Sequence, residues 1–192
     1  MGRGICATVN PSVDSRSGRV HRVDIFHYRT SALVQRFLAP SDFTAAESWR
    51  LLNWCRSIGA DEFTIDCIVD NDILWPKRWE SFEKLIERFS RGERTRERMS
   101  GRTADDLTRP TKTWELNDAT IVALTRALPG GLLAYDPSDE SSFENPVIYR
   151  GGQLLLGVLS HEAFGVFRLS EDEARQLHEA GFPSHDSLPR AG

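Results

Sequence analysis

The sequence predicts an α+β fold: an N-terminal β-α-β unit, further helices, and a C-terminal antiparallel β-meander followed by a short helix. Apolar alternation typical of strands occurs near both ends of the chain, and apolar stripes with helical spacing lie between them. The pair Gly151-Gly152, set between two apolar runs, indicates a tight hairpin. Helices and strands do not alternate strictly, so α+β fits better than a doubly wound α/β fold. The 192 residues, 40% of them hydrophobic, suit a single domain spanning 1–192.

The β-α-β unit occupies about the first seventy residues. Residues 20–28 alternate in polarity and predict its first strand. Thr44 and Glu47 match a capping box, which predicts a helix start, and Gly59 predicts the end of that helix. Residues 63–69 predict the second strand. If the two strands are parallel, the crossover between them is expected to be right-handed.

Two more helices are predicted in the middle of the chain. One begins at Pro76, and its buried stripe is expected to consist of Trp79, Phe82, Leu85, Ile86 and Phe89. The other begins at Asn117, and its buried residues are expected to be Ile121, Val122, Leu124 and Leu128. Residues 91–115 lie between these helices and are predicted to form a charged, exposed connector.

The C-terminal part is predicted to be a meander and a helix. Its strands are expected at residues 132–135, 147–150, 153–159 and 164–169. Ser170 and Glu173 match a second capping box, and Gly181 predicts the end of the helix that they open. Residues 1–18 are predicted to be a polar leader, and residues 183–192 a loose tail.

Composition and charge narrow the class of protein. The formal net charge is −4, which argues against a general nucleic-acid binder and is compatible with a basic partner protein. Three cysteines without paired spacing favour a reducing compartment. Residues 1–17 contain no apolar core of signal-peptide length, and the longest apolar run, residues 154–159, is too short to span a bilayer. A cytoplasmic protein without membrane contact is therefore expected.

An acidic cluster follows the second predicted strand. Asp66, Asp70 and Asp72 lie on this strand or just beyond its C-terminal end, where ligands tend to bind in sheets that contain parallel strands. Carboxylates of this kind are ligands for Mg²⁺ or Mn²⁺, and His27, near the end of the first strand, would be the base. The alternative is a simple turn, because Asp and Asn bond their own backbone at loop starts.

The five tryptophans are candidate contact residues. Tryptophan is enriched at protein interfaces because it combines a large apolar area with a polar N–H group. The predicted partner-binding residues are Trp75, Trp79, Trp114, Asp70 and Asp72. The alternative interpretation of each tryptophan is packing between helix and sheet.

The arginine-rich segment 91–112 is a third candidate. Its arginines are able to follow a phosphate backbone, but no aromatic residue lies between Phe89 and Trp114 to stack on bases. The sequence also lacks GxGxxG, P-loop, HExxH, GxSxG and paired CxxC motifs. The leading hypothesis is therefore a cytoplasmic protein-interaction module, without a cofactor, that binds or inhibits a partner protein. The alternatives are a metal-dependent hydrolase that uses the aspartates and a nucleic-acid contact through residues 91–112.

Overall fold

Seven antiparallel strands form one sheet, and the helices pack against one of its faces. A computed structural model of the chain describes residues 33–68, 77–95, 110–133, 142–162 and 164–187. The strands are β1 (Val34–Leu38), β2 (Glu62–Ile68), β3 (Ser90–Thr95), β4 (Pro110–Glu115), β5 (Ser142–Arg150), β6 (Gln153–Leu159) and β7 (Phe164–Leu169). The helices are α1 (Ala45–Ser57), α2 (Lys77–Ile86), α3 (Asp118–Ala127) and α4 (Glu171–Glu179). The predicted α+β class is confirmed.

The strand order places distant parts of the sequence side by side. The order is β1-β7-β6-β5-β2-β4-β3, and every neighbouring pair is antiparallel. Strands β1 and β2, which flank α1, run in the same direction, but three strands lie between them. The strand predicted at residues 20–28 and the leader predicted at 1–18 lie outside the described residues.

The helix boundaries follow the predicted caps. The amide of Glu47 donates to the hydroxyl of Thr44, and the Glu47 carboxylate accepts from the Thr44 amide at 2.8 Å. Ser170 and Glu173 repeat this reciprocal pair at the start of α4. Asn117 caps α3 by accepting from the amide of Thr120. Each of these bonds satisfies an amide that the first helical turn would otherwise leave without a partner.

One large apolar core lies between the helices and the sheet. The sheet contributes Phe63, Ile65, Ile148, Leu156 and Phe167, and the helices contribute Leu51, Leu52, Cys55, Ile86, Leu124 and Leu177. Burial raises the pKa of the Cys55 thiol, so this cysteine stays protonated and packs as a small apolar residue. A smaller cluster of Val147, Tyr149 and Leu154 lies on the opposite face of the sheet.

Bulges in β6 and β5 change which side chains share a face. Ile148 pairs with Leu156, but Tyr149 pairs with Leu154, so Leu155 is an extra residue in β6. The simple alternation expected along this strand is therefore interrupted, and Leu154 packs with the smaller cluster. A second bulge lies at Asn145-Pro146 in the central strand β5, where proline is tolerated because a bulge needs no ladder bond from it.

The middle of the chain contains more strand than its charge pattern predicts. Residues 90–95 and 110–115 form β3 and β4, although this stretch was expected to be a connector. Strand β3 is an edge strand, and its charged, exposed residues discourage pairing with another chain. Conversely, residues 132–133 form a turn where a strand was predicted.

The residues after α4 also differ from the prediction. His185 forms an antiparallel bridge with Phe37 of β1, so part of the predicted loose tail is attached to the sheet. All described residues belong to one compact unit, Ser31–Gly192. None of the helices in the described part of the chain is long and apolar enough to cross a membrane.

Candidate functional site

Several of the predicted site residues lie outside the described part of the chain. These are His27, Asp70, Asp72 and Trp75. The catalytic, metal-binding and partner-binding roles expected for these four residues remain predictions. Asp66, Trp79 and Trp114 are described.

Trp79 and Trp114 belong to an aromatic cluster in the main core. Trp79 is 6% exposed and Trp114 is 1% exposed. Their ring centroids lie 6.2 Å apart in an edge-on arrangement, and Trp114 also stacks on Phe63 at 5.6 Å. Phe82 and Phe143 complete the cluster, with a centroid separation of 5.1 Å. Such pairs stabilise a core beyond their buried area.

This burial matches the packing interpretation of the two tryptophans. A direct contact with a partner would need surface that neither side chain exposes. Trp79 lies on α2 and Trp114 lies on β4, so the cluster connects this helix with the sheet. The substitution of either residue is therefore expected to destabilise the fold as well as to change any binding.

Polar and acidic side chains follow β2 and β5 on the face opposite the helices. Thr64 Oγ1 lies 3.4 Å from the hydroxyl of Tyr149, and both residues are buried. Asp66 is half-buried and pairs in the strand register with Glu144, which is 3% exposed. Paired residues of neighbouring antiparallel strands have Cα atoms about 4.5–5.5 Å apart. The two acidic residues therefore occupy facing positions on neighbouring strands near the middle of the sheet.

The bulge at Asn145 sets this pairing. Asn145 has a φ of +50°, is 4% exposed, and precedes Pro146. Its amide donates to Ser160 Oγ at 2.9 Å, and its own Oδ1 accepts from the Ser160 amide at 3.1 Å. These two bonds hold a conformation that L-residues other than Asn and Asp rarely adopt. Glu144 was not among the predicted site residues, although the adjacent Asn-Pro pair signals an irregular strand there.

The carboxylate pair has limited metal-binding capacity by itself. Opposed carboxylates repel each other unless a proton or a cation lies nearby. Among the residues that the structure describes, no group of three or more histidine, cysteine or acidic side chains could hold a metal ion. The predicted Mg²⁺ or Mn²⁺ site of Asp66, Asp70 and Asp72 thus stays a prediction, and Glu144 is an additional candidate ligand.

Carboxylates neutralise the charge of the arginines in the described part of the arginine-rich segment. Arg91 donates to Glu115 at 2.6 Å, and Arg94 donates to the buried Glu62 at 2.9 Å. The other arginines of the segment, which are Arg96, Arg98, Arg102 and Arg109, lie outside the described residues. The two described arginines are therefore engaged with carboxylates.

Lys112 is engaged in the same way. It donates to Glu83 at 2.8 Å and to Glu87 at 2.9 Å. Partial burial, the largest single effect, lowers the pKa of Lys112, but the two carboxylates together outweigh it and raise that pKa. This lysine therefore stays charged and ties β4 to the end of α2.

A groove lies between α2 and α3, and Phe143 of β5 also lines it. Its volume is about 210 Å³, and it is lined by Ser81, Phe82, Leu85, Ala123, Arg126, Ala127 and Phe143. Phe82 and Phe143 are each 5% exposed, whereas Leu85 is 49% exposed. The sequence placed Leu85 in the buried stripe of α2. It is exposed because α3 packs on the other side of the groove and leaves this edge of α2 open.

Val122 of α3 is another half-exposed apolar residue. It was also predicted to be buried, but it is 51% exposed and does not line the groove. It lies one turn before Arg126 on α3. Arg126 itself lines the groove and is exposed. The groove thus combines an apolar floor with one basic side chain.

The chain was compared with protein families, curated proteins and solved structures. No protein family, no curated protein and no solved structure matches the chain.

Proposed function

We propose that this protein is a protein-interaction module whose contact surface is the groove between α2 and α3. The observation that carries the proposal is the exposure of Leu85 beside an apolar floor of Phe82 and Phe143. A single exposed apolar side chain is ordinary, but apolar surface that continues from an exposed residue into a groove marks a candidate interaction site. The cysteine pattern favours the cytoplasm as its location.

The size of the groove favours a protein side chain over a small-molecule substrate. Its volume of about 210 Å³ lies below the range of about 300–1,000 Å³ typical of pockets for drug-sized ligands. Grooves between two helices commonly receive the apolar face of a third helix, whose anchor residues recur every three or four positions. We therefore propose an amphipathic helix of a partner protein as the occupant.

The charge of Arg126 favours an acidic residue beside the apolar anchors of the partner. Arg126 lines the groove, and a carboxylate of the partner would face it. The net charge of −4 instead favours a basic partner overall. Both features are compatible with a basic protein whose inserted helix carries one acidic flank. Binding through this surface would regulate or block the partner.

Charge reversal at the groove tests the proposal. We would immobilise the tagged wild-type protein and the Leu85→Glu variant and pass over each a lysate of the cells that naturally produce this protein. The amount of each cell protein retained would then be compared. The matched control is Val122→Glu, because Val122 is equally exposed but lies outside the groove. The expected result is a partner retained by the wild type and by Val122→Glu but lost from Leu85→Glu. Loss of about 2 kcal/mol at a central anchor weakens binding roughly thirtyfold. Equal retention by all three proteins would reject the groove as the contact surface.

The alignment of Asp66 with Glu144 favours one further candidate function. A metal-dependent hydrolase would use this pair, together with Asp70 and Asp72, to hold Mg²⁺ or Mn²⁺. His27 would serve as the base, as the sequence suggests. This candidate ranks second because the described residues alone contain no group of three or more histidine, cysteine or acidic side chains that could hold a metal ion.

A further inference from the structure

The chain closes one edge of its own sheet with residues that follow α4. We call residues 182–187 the C-terminal segment. The amide of Phe37 in β1 donates to the carbonyl of His185 at 2.8 Å, and the His185 amide donates back to Phe37 at 2.9 Å. This reciprocal pair is the bond pattern of an antiparallel strand, but it extends over a single residue. The segment therefore mimics one rung of an eighth strand.

Phe182 anchors the C-terminal segment beside this edge. Its side chain is 4% exposed and packs against Phe43 and Trp54, with centroid distances of 6.4 Å to each ring. The guanidinium of Arg50 lies 5.3 Å from the centre of the Phe182 ring. An aromatic side chain thus fills a pocket of aromatic and cationic groups next to the edge of β1.

Two side-chain contacts complete the attachment. His185 Nε2 lies 2.8 Å from Asp42, and Arg36 pairs with Asp186. The side chain of Asp186 is 85% exposed, and ion pairs at such positions contribute little to stability. Beyond Phe182 the segment is therefore held chiefly by one rung of backbone bonds. Segments with so few contacts open more readily than the body of a fold.

The edge of β1 has more backbone hydrogen-bonding groups than the C-terminal segment pairs with. Gln35 precedes Phe37 by two residues and so directs its backbone to the same edge. No described residue forms a backbone hydrogen bond with Gln35 on that side. An extended peptide lying on β1 would pair with both Phe37 and Gln35, whereas the C-terminal segment pairs with Phe37 alone.

From these contacts we infer that the β1 edge and the Phe182 pocket form a peptide-binding site, which the C-terminal segment occupies as an internal competitor. The ligand is an extended segment of another protein that adds a strand to β1. One residue of this ligand pairs with Phe37. An aromatic residue lies three positions before that pairing residue, and an acidic residue lies one position after it. These features correspond to Phe182, His185 and Asp186. Main-chain bonds supply affinity in strand addition, and the side-chain pockets supply specificity. This site is separate from the groove between α2 and α3.

A labelled peptide with the sequence of residues 181–190 is the probe. The full chain with Phe182→Ser and Asp186→Ala is expected to release its own segment and to bind this peptide. The wild-type chain is expected to bind it at least about tenfold more weakly, because its site is open for only a small fraction of the time. A peptide in which alanine replaces Phe182 is the matched control and is expected not to bind. Equal binding to both proteins, or no binding to a folded double variant, would overturn the inference.

Hydrogen exchange of the wild-type chain decides the question if the double variant does not fold. The amide of His185 is expected to exchange much faster than that of Ile148 in the central strand, because the segment opens without global unfolding. Excess unlabelled peptide is expected to leave the exchange of Ile148 unchanged. If the His185 amide is as protected as that of Ile148, the segment is an integral part of the fold and the site does not exist.

Discussion

Arg150, the last residue of β5, donates hydrogen bonds to Glu173, the carboxylate that completes the N-terminal cap of α4. Arg150 also donates to the carbonyl of Ile58 at 3.2 Å, just after α1. One side chain thus joins the central hairpin to two helices that are far apart in the sequence. Because Glu173 serves both the cap and the ion pair, its charge has an effect beyond its own helix.

The charge of Glu173 is expected to stabilise the fold above acidic pH. Partial burial, the largest single effect, raises the pKa of Glu173, but Arg150 and the Ser170 amide outweigh it and lower that pKa. A lowered folded-state pKa gives stability that is present above the unfolded pKa of about 4.3 and lost as pH falls through the folded value. Glu173→Gln is therefore expected to lower the melting temperature at pH 7, and the difference from wild type is expected to shrink toward pH 3. Glu171→Gln, an exposed change in the same turn, is the control, and an equal effect from it would contradict this role.

Gly131 is expected to tolerate no side chain. Its φ is +107°, and a Cβ atom would lie 2.8 Å from Ser48 Oγ and 3.1 Å from the backbone of Ala45 in α1. Gly131→Ala should therefore combine backbone strain with a clash that cannot relax easily, at a cost of about 2 kcal/mol or more. Gly181→Ala is the matched control, because Gly181 has a φ of +80° but nothing within 4 Å of the added atom. Urea titrations that give equal losses for both variants would show that the contact with α1 does not matter.

Trp114→Ala is expected to destabilise the fold by about 3–5 kcal/mol. The side chain is 1% exposed and stacks on Phe63, so its removal leaves a cavity in the aromatic cluster. Its Nε1 atom is buried without an acceptor in the described structure, so Trp114→Phe is expected to cost much less. Denaturant unfolding measures both values. If the alanine variant unfolds like the wild type but loses a partner, the contact role predicted from the sequence is favoured over packing.

The Asp66–Glu144 pair provides a test of the hydrolase alternative. We would measure the melting temperature with EDTA and then with Mg²⁺, Mn²⁺, Ca²⁺ and Zn²⁺ in turn. A metal that binds only the native state at a hundred times its Kd stabilises the fold by about 2.7 kcal/mol. If the hydrolase alternative is correct, Mg²⁺ or Mn²⁺ should raise the melting temperature, and Asp66→Asn or Glu144→Gln should remove the rise. No shift with any metal would reject this candidate.

Local signals in the sequence were sufficient for most helix and turn boundaries. Thr44, Ser170 and Asn117 cap helices where the sequence predicts them, because each cap is decided by residues within three positions. Gly151 and Gly152 have φ values of +55° and +81° and form the predicted hairpin between β5 and β6.

Features that depend on distant residues were not predictable in the same way. The bulge at Asn145 is stabilised by Ser160, which lies in another turn, and it brings Glu144 beside Asp66. Leu85 and Val122 have the spacing of buried residues, but the docking of α2 beside α3 leaves them at the surface. Helical periodicity identifies an apolar stripe without showing how much of it a neighbouring element covers.

The strand order also determines when this protein is able to fold during synthesis. Strand β2 has no partner until β4 is made, and its other neighbour, β5, follows only after α3. Strand β1 must wait longer still, because its neighbour is β7. Sheets built from such distant pairings fold slowly, and their unpaired strands are prone to aggregation. The nascent chain is therefore expected to depend on chaperones until β7 has left the ribosome.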